Sequence, residues 1–282
     1  MLHSLNIAEF TAVVWVVSLI AGFLGSLTGL GGGVVIIPVL SLILGVDIRY
    51  AIGASLVSVI ATSSGAAAAY VREGFTNIRI GMFLEIATTL GALAGASVAV
   101  VMPAPAIAVI FGVVLIHSAY LSSRARHERT GDQPPDPLAT RLKMNGTYPT
   151  PGSPERYHVR HVPGGFALMF VAGALSGLLG IGSGAVKVLA MDQIMRIPFK
   201  VSTTTSNFMI GVTAAASAGV YLRRGYIDPG LAMPVMLGVL AGSLIGARVL
   251  VGARTRVLRA VFGLVILLLG IEMIYNGLTG RI

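Results

Sequence analysis

Two stretches of this chain are almost free of charge. Residues 7–45 hold a single ionisable side chain, Glu9, and residues 80–121 hold only Glu85 and His117. Each is far longer than the roughly 20 apolar residues that cross a bilayer as one helix. A chain that must hide such stretches from water folds as an all-α integral membrane protein, since helices satisfy their own backbone groups in lipid. The composition agrees, with 55% hydrophobic and 11% charged residues and a mean hydropathy of +0.86. The net charge of +9 reads as basic cytoplasmic loops rather than a nucleic-acid surface. Without cysteine there is no disulfide scaffold, thiolate metal site or cysteine nucleophile. MLHSLNIAEF carries no Lys or Arg ahead of its apolar run, so a cleaved signal peptide is not expected.

The chain matches itself at an offset of 151 residues. Ala21, Gly22, Gly29, Gly31 and Gly33 fall on Ala172, Gly173, Gly180, Gly182 and Gly184, and Ser55, Tyr70, Arg72 and Gly74 fall on Ser206, Tyr221, Arg223 and Gly225. Gly91 and Gly95 fall on Gly242 and Gly246 in the same register, with the small-xxx-small spacing that lets membrane helices pack closely. Shared glycine positions over such a length point to an internal duplication: a first membrane repeat at 1–121 and a second at 164–282. Five apolar segments are expected in each, at 7–28, 34–45, 49–71, 79–101 and 105–122, and again at 164–179, 185–196, 200–222, 230–250 and 257–277. The second of each set is too short to cross the membrane and is expected to be short or re-entrant, giving 8–10 membrane helices. If that segment returns to its starting side, the repeats are inverted. Loop charges then divide as fourteen Lys and Arg on the cytoplasmic side against four outside, whereas a single broken pass, with parallel repeats, divides them twelve against six. We therefore expect two inverted five-segment repeats with both termini outside. Residues 122–163, rich in Pro and Arg, read as a cytoplasmic tether with too little apolar surface to fold alone.

GLGGG at 29–33 and GIGSG at 180–184 interrupt apolar runs at matching places. Paired glycine-interrupted segments in inverted repeats point to a substrate site near the midplane of a transporter. Half-helices starting there aim free N–H groups at the break, which suits an anion. Gly31, Gly32, Gly33, Gly182, Ser183 and Gly184 are the expected backbone donors. Lys187, one turn further on, adds a full charge, while its counterpart Ile36 is neutral. A membrane lysine is costly and marks function unless it snorkels to the interface. Ser55, Thr205, Ser206 and Asn207 supply neutral donors, or else bond helix to helix. Glu85, whose counterpart is Met236, is a candidate for a coupling proton, or lies near enough to the cytoplasmic end to reach water. No role is given to His117 or Glu272. No cofactor or metal is expected. The expected partners are a small anionic substrate and the lipid bilayer, with a homodimer left open and no nucleic acid.

With Pro38 and the segment Gly53-Ala54-Ser55-Leu56, the first motif resembles the TauE/SafE family of sulfite exporters and toluene-sulfonate permeases. The resemblance covers both halves but not the linker. It implies transport of a small sulfur oxyanion or organosulfonate across the bacterial inner membrane, driven by an ion gradient. In the second motif Ser183 replaces a glycine, Leu189 stands where proline would be, and Lys187 enters. An intramembrane protease wants glycine two residues before its serine, where Ile181 stands, and GLGGG lacks the GK[ST] ending of a phosphate loop. An anion channel is the remaining alternative.

Overall fold

The computed structural model describes residues 6–28, 32–72, 74–123, 136–149, 154–250 and 255–281. Helix α1 spans Ile7–Thr28, and a short α2, Gly33–Pro38, runs into a wide π-type turn at Val39–Ile43. Then come α3 (Ile48–Arg72), α4 (Ile78–Val101) and α5 (Ala104–Ser123). The later part follows the same order: α7 (Val162–Leu179), α8 (Gly184–Leu189) with a π-type turn at Ala190–Ile194, α9 (Phe199–Arg223), α10 (Pro229–Leu250) and α11 (Thr255–Leu278). Within the described residues, Ile7–Leu24, Ile78–Val101, Val162–Leu179 and Pro229–Gly246 are long and apolar enough to cross a membrane. Shorter apolar stretches occupy α3, α5 and α11.

Local geometry recurs at the 151-residue offset even where the side chains differ. The π-type turn follows Pro38 in one place and Leu189 in the other, so the missing proline N–H does not cause it. Gly45 takes a φ of +64° and its counterpart Arg196 one of +57°. Glycine reaches that region at no steric cost and arginine does not.

Helix contacts are reciprocal. A Cβ on Gly22 would collide with the Val239 carbonyl, and one on Gly173 with the Thr88 carbonyl, the same contact shifted by 151 residues at both ends. Gly91 against Phe170 and Gly242 against Leu19 form a second such pair. Arg49 lies 5.8 Å from the Tyr226 ring centre, and its counterpart Lys200 lies 5.9 Å from Phe75, the counterpart of Tyr226. Reciprocity of this kind is the mark of a two-fold relation.

Chain direction can be read from the same close approaches. Gly238 meets Trp15 and Gly242 meets Leu19, so α1 and α10 run parallel. In contrast, Gly53 meets Tyr226 whereas Gly211 meets Ser63, so α3 and α9 run antiparallel. Helices α5 and α11 also run antiparallel, with Pro105 at Gly277 and Gly112 at Gly270.

The segment between α5 and α7 departs from the expected free tether. It carries a short helix α6 (Pro137–Arg141) capped by Asp136, and an antiparallel pair β1 (Gly146–Tyr148) and β2 (Glu155–Tyr157). Five of its apolar side chains, Ala139, Met144, Tyr148, Tyr157 and Val159, join a core with Ile80, Leu84, Met169, Met191, Met195 and Met209, while Leu138 and Leu142 stay exposed. Asn77 donates to the Met144 carbonyl at 3.1 Å and to the Tyr157 hydroxyl at 2.7 Å. The segment lacks a core of its own but completes one that the helices supply.

Candidate functional site

Helix α7 ends at Leu179 with Gly180 as its cap, and Gly180, Gly182 and Ser183 all take positive φ, at +67°, +71° and +47°. Three left-handed residues within four reverse the chain before α8 begins. Two are glycines, which adopt this conformation freely; Ser183 does so at a cost on the order of 1 kcal/mol. Of the first break only Gly32 and Gly33 can be described; Gly29, Leu30 and Gly31 lie outside the described residues.

The two breaks touch. A Cβ on Gly33 would collide with the Ser55 hydroxyl and come within 3.2 Å of the Gly180 carbonyl. Ser55 Oγ itself donates to that carbonyl at 2.8 Å and is fully buried. Ser55 thus ties the first half to the second at the meeting point. Gly182 and Gly184 face Ile210 of α9, and Gly182 also faces Val59 of α3. Ser183 is 5% exposed, does not cap α8 with its side chain, and its Oγ has no hydrogen-bond partner. Ser206, the counterpart of Ser55, lies 3.5 Å from the Gly184 carbonyl, at the outer limit of a hydrogen bond.

Thr205 is not brought to the breaks. Thr205 Oγ1 accepts from the Asn77 backbone N–H at 3.1 Å, which turns it toward the loop before α4. Asn207 is half-buried. Neighbouring residues on a helix point about 100° apart, so a cluster contiguous in sequence cannot converge on one spot.

Lys187 does not snorkel. It is fully buried, and its Nζ donates to Thr213 Oγ1 of α9 at 2.6 Å. Thr213 in turn donates to Glu85 Oε1 of α4 at 2.7 Å, and Thr89 donates to the same oxygen at 3.1 Å. Glu85 is only 9% exposed, so the expectation that it reaches water is corrected. Its Oε2 has no hydrogen-bond partner. A buried lysine and a buried glutamate are therefore bridged by one hydroxyl. The counterparts of these three residues are Ile36, Thr62 and Met236, so the charged cluster belongs to one side of the two-fold relation alone.

Sequence reasoning missed Thr213. Ser202, Ser206, Thr213 and Ser217 recur at spacings of four, seven and four along α9, and all are buried. That periodicity lines one helix face and is legible as a polar stripe inside an apolar run.

A family model described as sulfite exporter TauE/SafE matches residues 14–273, nearly the whole chain. The chain belongs to the TauE/SafE family. Similarity to individual proteins covers most of the chain. The probable membrane transporter protein YunE of Bacillus subtilis (strain 168) is 30% identical over 93% of this chain and 97% of its own length. The probable membrane transporter protein YdhB of the same organism is 26% identical over 84% and 87%. A probable membrane transporter protein of Xylella fastidiosa (strain 9a5c) is 25% identical over 91% and 92%. No solved structure matches the chain. This TauE/SafE member is thus a multi-pass helical membrane protein of a transporter family.

Proposed function

We propose that this TauE/SafE protein is a secondary-active transporter that carries a small anion of the sulfite or organosulfonate class across the bacterial inner membrane. The cargo site is the meeting point of the two helix breaks, between inverted repeats. Residues 122–163 lie on the cytoplasmic side and both termini outside. The observation that carries the reading is the contact of Gly33 with Ser55 and the Gly180 carbonyl, which joins equivalent breaks from both halves at one buried point. Inversion is supported by the antiparallel run of α3 against α9 and of α5 against α11, each helix packing on its own counterpart.

At that point the first turns of α2 and α8 present N–H groups without intrahelical partners. Gly32, Gly33, Gly182, Gly184, the unpartnered hydroxyl of Ser183 and the weakly held hydroxyl of Ser206 are the donors, with Gly31 included by motif. Lys187 supplies the positive charge that makes an anion preferable to a neutral solute. Because the donors are backbone groups, the site recognises an oxyanion by charge and shape. Alternating access follows from rocking one half against the other about this point.

The test is a thermal-shift screen of the purified protein against sulfite, sulfate, thiosulfate, sulfoacetate and simple carboxylates. Ligands that bind only the folded form raise its melting temperature. Sulfur oxyanions are expected to do so, in competition with one another. A protein indifferent to every anion in the series does not carry this cargo.

A further inference from the structure

Resting on the transport reading above, we propose that Glu85 carries a proton that crosses together with the anion, and that Lys187 and Thr213 couple the two. With no anion present, the charges balance internally: the Lys187 ammonium faces the Glu85 carboxylate through the Thr213 hydroxyl. An anion arriving at Ser183 and Gly184 lies one helical turn from Lys187 and claims the same positive charge. One ammonium then serves two negative groups in a buried place, which is costly. Glu85 relieves this by taking a proton from water on the side from which the anion entered.

The geometry supplies a place for that proton. Both hydrogen bonds to Glu85, from Thr213 and Thr89, fall on Oε1, while Oε2 is buried and unpartnered. An O–H bond forms at Oε2 as the anion loads and breaks as it leaves, the proton passing to water on the far side. For a monovalent anion the loaded and empty carrier have the same charge.

No other ionisable group among the described residues bonds to Glu85. Helix α7, packed along α4, has none over Val162–Leu179. Helix α9 carries Lys200, Tyr221 and Arg223 toward its ends, and α4 carries only Arg79, in its first turn. Asp192 lies beyond α8 in the half-exposed turn, and Tyr148 and Tyr157 approach from the docked segment. Lys187 is the charge that Glu85 answers to.

The experiment uses the full chain in proteoliposomes with a trapped pH dye and the voltage held at zero. Its probe is methanesulfonate, a monovalent sulfonate that carries no proton of its own near neutral pH. An acid-outside gradient of one pH unit is expected to sustain about tenfold accumulation, as one proton per anion requires, with acidification of the lumen. Glu85→Gln is expected to lose this accumulation yet still exchange labelled for unlabelled methanesulfonate. Thr213→Ser keeps the bridging hydroxyl and the accumulation; Thr213→Val lowers it by about tenfold, within the usual range for coupling between sites. Wild-type accumulation that ignores the pH gradient overturns the proposal while leaving transport intact. So does Glu85→Gln that still accumulates, or that loses exchange along with accumulation. Absence of saturable exchange of sulfite, thiosulfate and methanesulfonate by the wild type removes the transport reading and this inference together.

Discussion

Lys187 and Glu85 are joined through a single hydroxyl, that of Thr213, which lies 2.6 Å from the ammonium and 2.7 Å from the carboxylate. The three groups belong to α8, α9 and α4, so the link holds together elements from both halves of the chain. Removing one charge leaves the other buried and unanswered, at a cost of about 3 kcal/mol or more. Lys187→Met and Glu85→Gln should each lower the melting temperature of the detergent-solubilised protein. The double variant should be less damaged than the sum of the two, by about 1–3 kcal/mol. Additive losses would mean that the two charges do not sense each other.

Ser183 separates stability from binding. Its hydroxyl is unpartnered and its backbone strained, so Ser183→Gly should leave the fold intact and stabilise it by up to about 1 kcal/mol. The anion-induced thermal shift should shrink, because a donor has been lost from the break. A variant with an undiminished shift would place the serine outside the cargo site.

Close helix packing predicts a matched pair of effects. Gly22→Ala and Gly173→Ala both push a methyl into a backbone carbonyl of the neighbouring helix, and each should destabilise by about 1–3 kcal/mol. Gly219, inside α9, has nothing within 4 Å of the position a Cβ would take. Gly219→Ala should therefore stabilise by about 0.5–1 kcal/mol through helix propensity alone. Melting curves of the three variants test this, and a destabilising Gly219→Ala would contradict it.

The docked segment should respond to alkali. Burial pushes the Tyr157 phenol above its ordinary value, and the Asn77 amide that donates to it offsets part of that rise. A group whose pKa is raised by folding contributes fully below its unfolded value and loses that contribution as the pH climbs through the folded one. Docking should thus hold at neutral pH and weaken only above the ordinary tyrosine range, about 10. Limited proteolysis of the segment between α5 and α7, followed across alkaline pH, reads this directly. Tyr157→Phe should abolish the alkaline dependence, while Asn77→Ala loosens docking at every pH.

The helices were legible because their causes are local. Apolar length, glycine punctuation and the 151-residue recurrence fix where α3 and α9 begin and end, and each apolar segment lies within a few residues of its expected bounds. Docking of residues 136–149 and 154–161 was not legible. Composition reports what a segment can bury in itself, and here the missing apolar surface comes from α4, α7 and the turn at Ala190–Ile194. Thr205 and Thr213 illustrate the same limit within one helix. Both lie on α9 among hydroxyl-bearing neighbours, yet one meets the Asn77 backbone and the other bridges two charges. Side-chain direction depends on how α9 is rotated against α4, which no local pattern states.

By itself the sequence determined a helical membrane protein with glycine-interrupted apolar runs, since lipid leaves a chain few other ways to satisfy its backbone. Only the tertiary structure decided that the breaks meet at Ser55 and Gly180, and that Lys187 finds Glu85 through Thr213. Those contacts join residues far apart in the chain, and only the rotation and close approach of whole helices bring them together.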